Sequence, residues 1–145
     1  MKTGDPAQTT PLYYITHKCY GPNSDTHEFP PNPEQCTRIR SEATFPSCWD
    51  GSSLDSSDHF SHMAYPNPDG RWEAGPCPPS HPKRVPTLFY EAIFQIQDIY
   101  EAGDTLVYSF NDTVGHGFHG DFFNGWKEGA IGNFNLNIQI GVSKL

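Results

Sequence analysis

Asn133-Phe-Asn-Leu-Asn-Ile-Gln-Ile-Gly-Val142 decides the fold class. Phe134, Leu136, Ile138, Ile140 and Val142 alternate with Asn133, Asn135, Asn137, Gln139 and Gly141, so an extended chain presents one apolar face and one mainly amide face. A helix would scatter these apolar residues around its circumference, so the segment predicts a strand with one buried face. A strand in this position can complete a sheet of its own domain. It can also add to the edge of another chain's sheet, where backbone hydrogen bonds and amide ladders hold it without charge.

The same period recurs upstream. Arg38-Ile-Arg-Ser-Glu-Ala-Thr-Phe45 puts Ile39, Ala43 and Phe45 on one side and Arg38, Arg40, Glu42 and Thr44 on the other, and it stops at Pro46. Residues 87–96 place Leu88, Tyr90, Ala92, Phe94 and Ile96 on one face, and residues 105–110 repeat the theme; aromatic and β-branched residues make both read as strands. Residues 12–15 form a shorter candidate strand, and residues 21–33, with prolines at 22, 30, 31 and 33, form a loop. Residues 47–86 are almost entirely turn chemistry, interrupted by Met63-Ala64-Tyr65. Loops this long inside a domain are usually functional.

Composition agrees with short strands and many turns: 14% of the residues are aromatic, with 14 prolines and 13 glycines. The formal charge of −8, with no basic stripe, excludes nucleic acid and anionic membrane surfaces as natural partners. No stretch has the roughly 20 apolar residues of a membrane span. The opening Met-Lys-Thr-Gly-Asp-Pro lacks the apolar run of a signal peptide, which reads as a mature or shortened start.

Cys19, Cys36, Cys48 and Cys77 are even in number and contain no C-x-x-C pair, so they read as two disulfides and place the chain in an extracellular compartment. Of three connectivities, Cys19–Cys36 with Cys48–Cys77 is preferred because sequential loops are simplest to close, although sequence does not settle it. The chain as a whole, residues 1–145, reads as a single secreted domain, mainly β, antiparallel and sandwich-like, with long loops and two disulfides.

Seven histidines are the most suggestive chemical feature. Asp58, His59 and His62 lie together, His81 sits among prolines, and His116, His119 and Asp121 share a glycine-rich turn. Converging imidazoles and carboxylates can transfer protons or bind a metal, and equally they can hold loops together by hydrogen bonding. His59-Phe-Ser-His62 is not the helical H-E-x-x-H motif, and the sequence identifies neither a metal nor a cofactor. Asp50, Asp121 and Glu91 could supply the two carboxylates of glycosidic cleavage. Asp50 in Trp-Asp-Gly could instead close an Asx-turn, and Glu91 could point outward or pair with a lysine. Asn111-Asp-Thr113 is the only N-glycosylation sequon. There is no G-x-S-x-G elbow and no phosphate-binding glycine loop.

Phe45-Pro-Ser-Cys-Trp-Asp-Gly51, Leu54-Asp-Ser, Asp58-His59, Ser61-His62 with Ala64-Tyr65-Pro66, Cys77-Pro-Pro-Ser-His-Pro82, Leu88-Phe-Tyr-Glu91 and Gly117-Phe-His-Gly-Asp-Phe122 with Asn124-Gly-Trp126 give the chain a family resemblance. It resembles the fungal secreted domain-of-unknown-function family nineteen-ninety-six, often joined to WSC carbohydrate-binding modules. The resemblance implies that this chain corresponds to the C-terminal half of the family domain, and that it works near cell-wall polysaccharide. Two positions depart from the family pattern. His116 stands where the family has tyrosine, and the stretch after Asn-Gly-Trp looks helical and ends near a cysteine in the family but runs here into the amide-alternating strand.

The reading is therefore an extracellular protein associated with cell-wall or matrix polysaccharide, with His59, His62, His119, Asp50 and Asp121 as its candidate site. Cleavage would bring His119 and Asp121 to His59 and His62 in one pocket. Binding alone would set Trp49, Trp72 or Trp126 in an exposed row. The rival reading is a structural protein that forms homo-oligomers, fibres or matrix through strand edges, the C-terminal strand above all.

Overall fold

The computed structural model describes residues 2–5, 7, 13–66 and 75–123; the expected strand at 133–142, Trp72 and Trp126 lie outside the described residues. The strands are β1 (Lys2–Thr3), β2 (Ile15–Tyr20), β3 (Ser24–Thr26), β4 (Arg38–Thr44), β5 (Cys48–Trp49), β6 (Met63–Ala64), β7 (Lys83–Arg84), β8 (Phe89–Gln95) and β9 (Gly120–Asp121). One 3-10 turn, Pro33–Gln35, precedes β4. The protein is mainly β, and among the described residues every strand pair is antiparallel. Among the described residues they make a four-stranded sheet in the order β3-β2-β4-β8, a three-stranded sheet β6-β5-β7 and the pair β1-β9.

Alternation explains the large sheet. Register places Ile15 opposite Ala43, His17 opposite Ser41 and Cys19 opposite Ile39, so these residues share one face. That face is the core: Ile15, His17, Ser41 and Ala43 are each 0% exposed. Phe45 continues it, also fully buried, and its ring meets Tyr90 edge-on with centroids 4.8 Å apart. Burying a side chain of this size stabilises the fold by about 1.5–3 kcal/mol. Near one end Cys19, Cys36, Ile39 and Ile96 pack together beneath Tyr100 and Leu106.

The opposite face carries the charged residues, with Phe89 and Ile93 exposed among them. Glu42 accepts from Thr16 Oγ1 at 2.6 Å and pairs with Arg40, whose other guanidinium nitrogen reaches Glu91 at 3.0 Å. The guanidinium of Arg38 lies over the Tyr20 ring, 4.1 Å from its centroid. Glu91 thus pairs with an arginine on the neighbouring strand rather than with a lysine.

Both disulfides have the expected pairing. Cys19–Cys36 closes the loop that contains β3, with Cα atoms 5.2 Å apart, and Cys48–Cys77 closes the second long loop at 5.5 Å.

Three local expectations need correction. Of the expected strand at residues 12–15, residue 12 lies outside the described residues and Tyr13 and Tyr14 form a turn; the strand begins at Ile15 and runs to Tyr20, because its buried face is Ile15, His17 and Cys19, with a histidine where a hydrophobe is sought. The loop at 21–33 contains β3, which returns along β2 after a turn in which Asn23 adopts φ 60°. Residues 105–110 form no strand. Tyr108 N donates to Asp112 O and Asn111 N to Tyr108 O, so the backbone is committed to a turn, while the Tyr108 ring packs on Phe29 and Phe118.

Candidate functional site

Trp49 ends the central strand of the three-stranded sheet, between Met63 and Lys83. Beyond it the backbone runs through a series of turns built by side chains. Asp50 Oδ1 accepts from the backbone N–H of Ser52 at 2.8 Å and of Ser53 at 2.9 Å, while the Trp49 indole donates to Ser53 O at 2.6 Å. Asp50 therefore does close an Asx-turn. Asp58 repeats the device, accepting from Phe60 N at 3.0 Å and Ser61 N at 2.9 Å. Backbone N–H groups hold both carboxyls below their ordinary range, so both are ionised at neutral pH.

The side chains hung on these turns form a directed relay. Ser56 Oγ lies 2.7 Å from Asp58 Oδ1 and 2.9 Å from His62 Nδ1, and it accepts His62 N–H at 3.3 Å. An ionised carboxylate only accepts, so the hydroxyl hydrogen of Ser56 goes to Asp58. His62 Nδ1 then carries the proton it donates to Ser56, and Nε2 carries the lone pair. His62 is 4% exposed, and burial lowers its pKa against the pull of the nearby aspartates, so it is the neutral imidazole at neutral pH. Beside it the exposed His59, in the left-handed region at φ 57°, pairs with Asp55 at 2.9 Å; that contact holds the Asp55 carboxyl below its ordinary range.

A second loop is tied to the first. His81 Nε2 donates to Ser61 O at 3.1 Å, Ser80 Oγ lies 2.9 Å from His81 Nδ1, and Cys77 is bonded to Cys48. Asp50, Asp55, Asp58, His59, His62 and His81 thus belong to one disulfide-clamped unit.

Asp121 sits in β9 and His119 just before it. His119 Nδ1 donates to Gly117 O at 2.8 Å, and its ring meets Phe110 at 5.5 Å. Asp121 pairs with Lys2 across β1 and β9, and its carbonyl accepts from Tyr90 OH at 3.1 Å. Among the described residues no hydrogen bond, ion pair or ring contact joins this pair to His59 or His62. Nor does any group of three or more His, Cys, Asp or Glu among them have the arrangement of a metal centre. Asn111, the sequon asparagine, is exposed in its turn at φ 69°.

Sequence reasoning passed over Ser56 and Asp55, whose signal was the run Asp55-Ser-Ser-Asp-His59 itself. It also missed a buried network. His17 Nε2 donates to Gly115 O at 2.8 Å, its Nδ1 accepts from Ser41 Oγ at 2.9 Å, and Ser41 Oγ lies 2.7 Å from Tyr108 OH. His17 and Ser41 are fully buried, so this serine–histidine pair meets no substrate. It fastens the 112–117 loop to the sheet. Asp112 shapes that loop by accepting from Val114, Gly115 and Gly117 N–H, and His116 reaches Glu28 at 3.1 Å.

A disulfide-linked, antiparallel, mainly β protein with one loop-built polar unit is the class that this geometry defines. Over residues 1–126 the chain matches the family described as "Domain of unknown function (DUF1996)", and it belongs to that family. No curated protein and no solved structure matches it.

Proposed function

We propose that this is an extracellular protein that binds a neutral polysaccharide of a cell wall or matrix, and that the unit formed by residues 50–62 with His81 is its contact surface. The carrying observation is the Asp58–Ser56–His62 relay. It anchors the buried His62 and so orders a disulfide-held loop that presents the exposed His59–Asp55 pair, with Trp49 on the strand that leads into that loop. Sugar hydroxyls need fixed donors and acceptors, and pre-ordered groups lose little entropy on binding. The two disulfides, together with the absence of any membrane-length apolar helix among the described residues, are compatible with secretion.

Binding fits this unit better than cleavage. A glycosidase of the two-carboxylate type keeps one carboxyl protonated for the leaving group. Asp50 and Asp58 are both held ionised by backbone donors, and Asp121 lies in another sheet.

The test is retention on insoluble chitin, β-1,3-glucan and cellulose. Wild type should be retained on at least one of these, and Ser56→Ala and His59→Ala should reduce the retained fraction while near-ultraviolet dichroism stays unchanged. Equal retention of both variants, or none by wild type, counts against the reading.

A second reading, self-assembly through strand edges, draws on one observation. Among the described residues β8 is an outer strand, on which Phe89 and Ile93 are 43% and 54% exposed. Polymer in sedimentation, without polysaccharide retention, would favour it.

A further inference from the structure

Asn111 ends a three-residue loop. Its N–H donates to Tyr108 O at 2.8 Å, and Tyr108 N–H donates to Asp112 O at 2.9 Å, so Ser109, Phe110 and Asn111 turn the chain between Tyr108 and Asp112. Loops of this length are commonly a type I turn followed by one residue in the left-handed region, and Asn111 at φ 69° fills that place. Asparagine tolerates this conformation better than most residues with a Cβ. The turn therefore explains the asparagine.

It does not explain the threonine two positions on. Asn111 and Thr113 are both exposed, and among the described residues neither the Asn111 side-chain amide nor the Thr113 hydroxyl has a hydrogen-bond partner. The residue between them has its carboxylate committed to the loop: Asp112 accepts from Val114 N–H at 2.8 Å, Gly115 N–H at 2.9 Å and Gly117 N–H at 2.8 Å. A free surface asparagine and a free surface threonine, separated by a residue other than proline, are what the acceptor pattern for N-linked sugar requires. The neighbouring ring points the same way. Phe110 is 38% exposed and touches Tyr108 and His119, so a bulky polar group on the next residue would shield apolar surface from other chains.

We propose that Asn111 carries an N-linked oligosaccharide, an inference that rests on the extracellular reading above, with passage through a eukaryotic secretory pathway. The donor is a lipid-diphosphate oligosaccharide whose innermost sugar is N-acetylglucosamine. Asn111 Nδ2 forms a bond to C1 of that sugar, and the C1–O bond to the diphosphate breaks. The lipid diphosphate leaves with the bonding electrons, and one amide proton is released. The turn loses nothing, because both of its hydrogen bonds use backbone groups.

The full chain, secreted from yeast behind a cleavable signal, tests this by intact mass before and after treatment with an amidase that removes N-linked sugar. The mass should fall on treatment, and aspartate should then stand at position 111 in the peptide that contains it. Thr113→Ala should abolish the modification with near-ultraviolet dichroism unchanged, since no described contact uses that hydroxyl. Asn111→Gly should do the same, because glycine also accepts positive φ. Secreted wild type with Asn111 unmodified would overturn the inference and leave the extracellular reading standing. A loss of mass that persists in Thr113→Ala would also overturn it. Sugar at Asn111 on a protein that no polysaccharide retains would uphold the inference while the binding reading fails.

Discussion

His17 and His62 show what a histidine does once its surroundings are fixed. Both are buried, and burial lowers the pKa of each, so the folded protein holds them neutral while the unfolded chain protonates them near pH 6.5. For His17 the Gly115 carbonyl and the Asp112 charge oppose that shift, and His27 and His116 add to it. The unfolded state binds more protons between the unfolded and folded values, so stability rises with pH across that window. The contribution is complete above the unfolded value and is lost as pH falls through the folded one. Urea midpoints should therefore drop between pH 7.5 and pH 5. His17→Leu should flatten part of that drop, and it should also cost about 1–3 kcal/mol at pH 7.5, because Ser41 Oγ and Gly115 O lose their partner. An unchanged pH dependence in that variant would show that His17 is not the buried group that resists protonation. The sequence marked the histidines as important, but could not sort His17, which fastens a loop inside the core, from His62, which sits in an Asp-Ser-Ser-Asp-His turn. Their partners Ser41 and Gly115 are 24 and 98 positions away from His17. Asp50 was more legible, since an Asx-turn uses the amides that directly follow it.

At the scale of elements, β4 was readable because Ile39, Ala43 and Phe45 repeat at period two beside charged residues, and β8 because rings and branched side chains crowd it. β2 was obscured by His17 on its buried face, and residues 105–110 carried the right side chains but sent their backbone into a turn. Periodicity reports which side chains face inward; it does not report whether a neighbouring strand offers its backbone. β5, β6 and β7 are two residues each, too short for any period, and they owe their pairing to the disulfide that draws the second loop back to Cys48. That bridge spans 29 positions, and a loop of this size contributes about 3–4 kcal/mol through the unfolded state. Replacing Cys48 and Cys77 together with serine should lower stability by about that amount and increase exchange at Trp49 and Met63, with the β2–β4 amides less affected. If denaturant titration showed no loss, the small sheet would be held by something other than the bridge.

The described residues divide into a sheet frame and a loop unit. The four-stranded sheet, its aromatic underside and the Cys19–Cys36 bridge make the frame, while the unit between Trp49 and Arg84 carries six of the ionisable groups that the sequence and the structure together single out. The sequence suggested one site assembled from His59, His62, Asp50, His119 and Asp121. The structure sets Asp50, His59 and His62 in one loop unit and Asp121 in β9 with His119 just before it, an arrangement made by long-range pairing that no local motif reveals. The family match over residues 1–126 takes in the frame and the loop together. The most direct measurement is a titration of the labelled protein with soluble chitin and β-1,3-glucan oligosaccharides, followed by amide and imidazole chemical shifts. Binding at the loop unit requires saturable changes at Trp49, Ser56, His59, His62 and His81 with little change at His119 and Asp121. Changes centred on His119 and Asp121, or no change with any of these sugars, would contradict it.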